Sequence, residues 1–311
     1  MEVEVFNKKL MLADFEDILG TNLSLEARNF IINQNFNYRH ISSKEENDAY
    51  IEYLNFLFSN KQPSGPEYKV KWDFGWKENL VEYLLTGDIS DLVPKFVKSN
   101  KLIRLNGKWI LPQSSEFESN FVFIIRDYLF KKYFVNFDCI FEFGCGTGLN
   151  LVHLSSLFPT KQLIGLDWSE SSVAILNELN KKHQNIQGQL FNMFEPHALS
   201  DEWNKSNSAI LTIGAMEQLG SNYEKFLSFI LESRTKIIVN VETMFEIYDD
   251  ENLFDFLPRQ YIKKRNWLQG YYAKLREFEH HGKIKILENR KTFGSFYHDE
   301  YTIIVWENLS V

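Results

Sequence analysis

From residue 138 onward short apolar runs alternate with longer amphipathic ones, and no other feature of the chain restricts its fold as much. "CIFEFG" reads as a strand, "GLNLVHLSSLF" as a helix, "KQLIGLDW" as a strand and "SESSVAILNELNKKH" as a helix capped by Ser169 or Ser171. "IQGQLFNMF", "SAILTIGAM" and "TKIIVNVET" supply three more strands. "YIKKRNWLQGYYAKLREFEHHG" reads as one long helix, and "KIKILENRK" and "YTIIVWEN" as closing strands. Strands joined through helices run parallel and need cover on both faces. The expected fold is therefore α/β, a mainly parallel sheet between two layers of helices.

The first part of the chain has a different texture. "TNLSLEARNFIINQ" is a helix with Ser24 or Asn22 as its cap, and "SSKEENDAYIEYLNFLFSN" is another, capped by Ser42 or Ser43. "KQPSGPEYK" breaks the pattern, and "WKENLVEYLL" is a further helix that stops at Gly87. "LIRLNGKWILP" reads as a hairpin, because Asn106-Gly107 favours a tight two-residue turn. "FESNFVFIIRDYLFKKYF" is a helix leading into the first strand. The division falls near residue 115: residues 1–115 form a mostly helical extension and residues 116–311 the α/β unit.

Composition narrows the function. A net charge of −8 argues against a general nucleic-acid binder, which needs a basic face. The opening "MEVEVFNKKLMLADF" lacks the basic start and apolar core of a secretory signal. No apolar run approaches the roughly 18 residues of a membrane span. Cys139 and Cys145 are the only cysteines, which suits a reducing compartment. The expectation is a cytoplasmic protein without membrane or nucleic-acid partners and without a metal, since no His/Cys/carboxylate cluster shows ligand spacing. The sequence leaves its oligomeric state open.

In an open parallel sheet, ligands bind beyond the carboxyl ends of the strands, where strand order reverses. There "FEFGCGTGLN" places Gly144, Gly146 and Gly148 directly after a strand, with Glu142 just ahead. Glycines let the backbone turn tightly and approach a ligand closely. The helix that follows aims free N–H groups at the same spot. "LIGLDWS" ends the next strand on Asp167, whose carboxylate can accept both hydroxyls of a ribose. The spacing is not that of a dinucleotide loop, whose last glycine would fall at Leu149. A carboxylate at Glu142 also repels a pyrophosphate and suits an ammonium or a sulfonium.

"FEFGCGTG" and "LIGLDWS" together resemble the first and second motifs of class I S-adenosylmethionine-dependent methyltransferases. The resemblance implies a Rossmann-like sheet of seven strands, mostly parallel with the last strand antiparallel, and S-adenosylmethionine as cofactor. It places Glu142 and the loop backbone at Gly144 and Gly146 on the methionine end, with Gly148 in the same cofactor loop, Asp167 on the ribose and Trp168 on the adenine. "FNMF" matches the segment that usually carries an acidic residue against the adenine amino group. Asn192 stands there instead and can accept the same hydrogen bond, with Met193 beside it offering an N–H. "LTIGAMEQLG", with Gly214, falls where such enzymes place residues beside the transferred methyl. It lacks the Asn/Asp-Pro-Pro-aromatic motif of the enzymes that methylate nucleic-acid amines. Glu217 and Gln218 face the acceptor in this comparison. "WDFGWKENL", "LVPKF", "GAMEQLG" and "FGSFYHDEY" further resemble a mostly uncharacterised bacterial subgroup associated with surface-polysaccharide or specialised-metabolite pathways.

Three segments are candidates for the acceptor pocket. "NVETMFEIYDDEN" offers Glu242, Glu246 and Tyr248; "FGSFYHDEY" offers Tyr297 and His298; "KWDFGW" offers Trp72 and Trp76, one helical turn apart. The expected activity is in-line methyl transfer to oxygen or nitrogen of a small molecule, such as a sugar or amino-sugar derivative. An oxygen acceptor needs a general base, for which His298 and a desolvated Glu242 are the candidates. The alternatives are a protein methyltransferase and a non-catalytic cofactor-binding subunit.

Overall fold

The structure, a computed structural model, describes residues 6–95, 102–197, 199, 203 and 207–310. The first five residues, where a signal would begin, lie outside this set, as do Phe96 of the "LVPKF" segment and the C-terminal Val311.

The N-terminal part is not only helical. Helices α1 (Leu12–Leu19), α2 (Leu25–Asn33), α3 (Ser43–Phe58) and α4 (Lys69–Thr86) surround four short strands, β1 (Lys8–Lys9), β2 (Asn37–His40), β3 (Ile103–Leu105) and β4 (Lys108–Pro112). The helices start where capping chemistry is available. Ser24 accepts from the Ala27 N–H, and Ser42 and Glu45 form a reciprocal box. Gly87, at φ 70°, ends α4 in the left-handed conformation that suits glycine. Asn106 (φ 49°) and Gly107 (φ 72°) make the tight turn between β3 and β4. Strands β3 and β4 are the hairpin expected there, whereas β1 and β2 escape a sequence reading because they are two and four residues long, too short for alternation to show. Their sheet is completed from far along the chain: β3 pairs with a two-residue strand, Phe293–Gly294.

The central sheet has seven strands: β5 (Cys139–Phe143), β6 (Gln162–Asp167), β7 (Ile186–Leu190), β8 (Ser208–Ile213), β9 (Ile237–Glu242), β10 (Ile284–Arg290) and β12 (Thr302–Asn308), with Phe293–Gly294 counted as β11. Their order is β10-β12-β9-β8-β5-β6-β7. Pairs among β7, β6, β5, β8 and β9 are parallel, and β12 runs antiparallel to both β9 and β10. Helices α5 (Phe117–Tyr133), α6 (Leu149–Leu157) and α7 (Glu170–His183) cover one face, with α8 (Glu224–Glu232) and α10 (Tyr271–His280) on the other. Alternate strand residues divide between the two layers. Ile140, Leu211 and Val239 join the first core, while Phe141, Ile210 and Ile238 join the second. The first core also takes in Phe15, Phe36 and Ile110, so the N-terminal part shares its interior with the sheet.

The long helix expected from Tyr261 is two helices. The first, α9 (Leu253–Arg265), starts earlier, where Asn252 caps it. Asn266 (φ 52°) and Gly270 (φ 86°) then turn the backbone left-handed, and α10 begins at Tyr271.

Candidate functional site

The order of the sheet reverses at β5, which has β6 on one side and β8 on the other. The loops after these strands meet over the crevice. Gly144, Gly146 and Gly148 all have positive φ. At Gly144 the freedom is obligatory twice over, since a Cβ there would stand 2.3 Å from the Cβ of Ala215. Gly148 is the cap of α6, so the free amides of that helix open toward the crevice. A cavity of about 220 Å³ lies here, walled by the glycine loop, Asp167, Trp168, Met193, Gly214 and Ala215. Trp72 and Trp76 of α4 close it from the N-terminal side, with their rings stacked 5.4 Å apart.

Asp167 is buried, and its carboxylate accepts from the Gly146 N–H and the Ser169 N–H, each at 2.9 Å. Burial pushes it up to about 6, opposed by those same backbone donors. Trp168 stacks on Phe194, ring centroids 5.8 Å apart, and both line the cavity.

The opposite end carries a different set. Arg126 projects from α5 into the lining, and its Nε has no hydrogen-bond partner. Asn150 donates to Glu142 Oε1 at 2.5 Å, which leaves Asn150 Oδ1 and Glu142 Oε2 buried and unsatisfied. Burial raises Glu142 to about 8. Glu142 itself is not in the lining but stands behind Asn150, so the cavity meets an unpaired donor on the Arg126 cation and an unpaired acceptor on Asn150. That is the complement of an amino acid's carboxylate and ammonium.

Across from this end, Glu217 and Gln218 sit on the 3-10 turn Met216–Leu219 that follows β8. Both line the cavity, together with Glu300 and Tyr301. Burial, followed by the charge of Glu300, holds Glu217 well above its usual range. Burial and the neighbouring Glu118 and Glu242 push Glu300 up to about 8. Glu242 itself is not in the lining. It ends β9 beneath the turn and accepts from the Ala215 N–H at 3.1 Å. The N–H groups of Met216 and Glu217 also favour its charge, although burial raises it to about 7. It positions the turn that carries Glu217 and Gln218, so the structure gives it a supporting place rather than contact with a ligand.

The other proposed acceptor residues lie away from the cavity lining. His298 is buried in an aromatic nest, stacked on Tyr261 and edge-on to Trp267, with Nδ1 2.9 Å from the Thr243 hydroxyl. Burial depresses its pKa to about 3. Tyr297 stacks on the same Tyr261. The Tyr248 hydroxyl accepts from the Asp299 N–H at 2.7 Å, and Glu246 accepts from the Gly270 N–H at 2.5 Å. These contacts hold loops together. Asn192 spends its Oδ1 on the Phe194 N–H, shaping the turn, while Met193 beside it reaches the cavity.

Arg126, Asn150 and Glu300 were missed by sequence reasoning. A lone arginine inside "NFVFIIRDYLF" was a readable signal: a charge on the inward side of an apolar helix needs a purpose. Glu300 lies two residues beyond the histidine that drew attention and lines the cavity. Among the described residues no group of three or more His, Cys, Asp or Glu side chains could hold a metal ion, and no helix is long and apolar enough to cross a membrane.

No family profile and no curated protein sequence matches the chain. Solved structures do. The N-methyltransferase NodS from Bradyrhizobium japonicum WM9, in complex with S-adenosyl-L-homocysteine, aligns at 10% identity over 76% of this chain and 99% of its own, with a TM-score of 0.47. The cyclase SpnF aligns at 12% identity over 79% and 97%, with a TM-score of 0.47. The S-adenosylmethionine-dependent methyltransferase SibL, in its apo form, aligns at 12% identity over 97% and 90%, with a TM-score of 0.44. The seven-stranded order with β12 alone reversed, and a glycine loop at the β5 switch point, are this chain's own features. By that topology the chain has the class I S-adenosylmethionine-dependent methyltransferase fold.

Proposed function

We propose that the protein is an S-adenosylmethionine-dependent methyltransferase acting on a small-molecule acceptor. The observation that carries this reading is one cavity uniting three complements: the glycine loop, the Asp167 carboxylate, and the unpaired pair Arg126 Nε and Asn150 Oδ1. The residues fit the cofactor's three parts. Arg126 would hold the carboxylate and Asn150, backed by Glu142, the ammonium. Asp167 would accept the ribose hydroxyls, and Trp168 with Phe194 would pack the adenine.

When bound, the cofactor supplies a methyl group already activated by a sulfonium. The protein's share is then alignment and exclusion of water. Gly144 and Ala215 set the floor. Trp72, Trp76 and Pro94, all from residues 1–115, form a wall, and we assign that region the role of lid and specificity element. Glu217, Gln218 and Glu300 face the acceptor side. A sugar or amino-sugar derivative offers the hydrogen-bond donors such a wall requires. Two free cysteines, both buried, accord with the cytoplasm as the place of action.

Calorimetry with S-adenosylhomocysteine tests the cofactor, and labelled S-adenosylmethionine mixed with a metabolite extract tests the activity. Saturable binding and label in small molecules are expected. Absence of binding sinks the proposal. Label in macromolecules selects a protein methyltransferase, and binding without transfer selects a non-catalytic subunit.

A further inference from the structure

The acceptor wall is unbalanced in both charge and hydrogen-bonding sense. Glu217 and Glu300 line it directly, and Glu242 lies beneath. Among the described residues none of the three has an ion pair with lysine or arginine. Arg265, the cation felt by Glu217, spends its guanidinium on the Gln62 carbonyl and the Ser64 hydroxyl. Gln218 is buried, and its amide nitrogen donates to Glu217 Oε1 at 2.9 Å. That bond fixes the amide so that its oxygen is left over, buried and without a partner. The wall therefore presents one orphaned amide oxygen and two carboxyls that burial keeps protonated until a cation arrives, when they ionise and accept. Buried acceptors left unmatched are costly, and a buried carboxylate without a cation is costlier.

Resting on the reading of the remaining cavity as a cofactor site, we propose that this wall receives a cationic nitrogen, the ammonium of a primary or secondary amine, and that this nitrogen is the atom methylated. An ammonium brings only donors and a positive charge, matching the orphaned Gln218 oxygen and the two carboxyls that line the wall. A hydroxyl brings one donor and no charge. A carboxylate or phosphate brings no donor and meets repulsion. The same wall accounts for the proton. The bound ammonium passes one proton to the Glu300 carboxylate, which frees the nitrogen lone pair. That pair forms the new N–C bond while the C–S pair leaves with sulfur, giving a neutral thioether. The product departs as an N-methylated ammonium, and Glu300 returns its proton to solvent. Crowding by Glu118 and Glu242, which already disfavours the charged form of Glu300, suits it to hold that proton.

The test is a charge series on one shape. The full-length protein, saturated with S-adenosylhomocysteine, is titrated calorimetrically with cyclohexylammonium, cyclohexanol and cyclohexanecarboxylate. The ammonium is expected to bind about tenfold or more tightly than the alcohol, with no binding of the carboxylate. Glu217→Gln and Glu300→Gln should each cost roughly tenfold in ammonium affinity while leaving S-adenosylhomocysteine affinity unchanged, which also certifies the fold of each variant. Equal or tighter binding of the alcohol, no binding of any of the three, or ammonium affinity that survives the double substitution each overturns the proposal. If S-adenosylhomocysteine itself does not bind the unsubstituted protein, the cofactor reading fails and takes this one with it. If it binds and the charge series fails, the acceptor assignment alone is wrong.

Discussion

The indole of Trp76 lies directly over Gly146: a Cβ added to that glycine would stand 3.1 Å from the ring. An N-terminal helix thus forms one wall of the loop that the first strand of the sheet presents. The two elements are also tied lower down, where Asp73 of α4 accepts from the Ser169 hydroxyl and the Ser171 N–H at the start of α7. Gly146→Ala presses on Trp76 and places a Cβ at φ 53°, a region that strains any other residue by ~1–2 kcal/mol. Calorimetry should show S-adenosylhomocysteine affinity falling about tenfold or more, with only a few degrees lost in Tm. Unchanged affinity would mean that the loop does not meet the ligand.

Asp167→Ala removes the acceptor for two backbone N–H groups as well as the carboxylate proposed to hold the ribose. Hydrogen bonds to a charged group are worth ~1.5–3 kcal/mol each, so losing the two to the ribose hydroxyls should lower affinity for S-adenosylhomocysteine by about two to four orders of magnitude. Asp167→Asn keeps one acceptor oxygen and should recover part of the loss. Equal affinity in the alanine variant and the parent overturns the ribose assignment.

How much of this was legible follows from the range of each signal. The strand-helix rhythm and the glycines are local, and they placed the sheet and the glycine loop at its switch point. Of the N-terminal sheet only the β3–β4 hairpin was legible; its other strands are short, and one partner, Phe293–Gly294, is remote in sequence. The wall opposite the amides of α6 was legible at Glu217 and Gln218 but not at Glu300, for a related reason. Glu242 and His298 do come from the sheet edge, but residue type says nothing about which member of a loop turns inward. In "YHDEY" the histidine packs into an aromatic nest while Glu300 meets the cavity. The unpaired atoms on Arg126 and Asn150 emerge only when α5 and α6 are packed on β5.

Arg104 is fully buried on β3 and joins the two parts of the chain. Its Nε is 3.1 Å from Asp299 and its Nη2 3.2 Å from Asp255, with the guanidinium 3.6 Å over the ring of Phe254. Removing one partner of a buried ion pair strands the other, at a cost of ~3–5 kcal/mol. Arg104→Ala should therefore lower the urea midpoint steeply. Because both parts share one core, the unfolding transition should stay single. A stable variant, or a separate early transition of the N-terminal part, would contradict this coupling.

Buried carboxylates give the stability a definite pH slope. Burial raises Glu142 and Glu300 to about 8 and Glu242 to about 7. A carboxyl raised on folding contributes stability that is complete below its unfolded value and lost as pH rises through the folded one. His298 and His153 act in the opposite direction. They are depressed to about 3 and about 4, so their contribution is complete above 6.5 and lost on acidification. Above pH 6.5 only the carboxylates remain in play. Without ligand, Tm should fall from pH 6.5 to 8.5, and Glu300→Gln should flatten that fall. A Tm that is constant or rises over this interval refutes the assignment.

His298 is the sharpest separation between what residue type suggests and what packing imposes. A histidine on a sheet-edge loop invites a role as general base. Here the ring is wedged between Tyr261 and Trp267 with one nitrogen on Thr243, and burial keeps it neutral at any ordinary pH. A base must reach the proton it removes, and this ring does not line the cavity. His298→Ala should thus behave as a core truncation, destabilising by ~2–4 kcal/mol through the void and the unpaired hydroxyl it leaves. S-adenosylhomocysteine affinity should stay within about twofold of the parent, a difference below 1 kcal/mol. Both quantities can be read without knowing the acceptor: chemical unfolding gives the first and calorimetry the second. A variant as stable as the parent that no longer transfers labelled methyl to the metabolite extract would return His298 to the catalytic site and displace Glu300 from it.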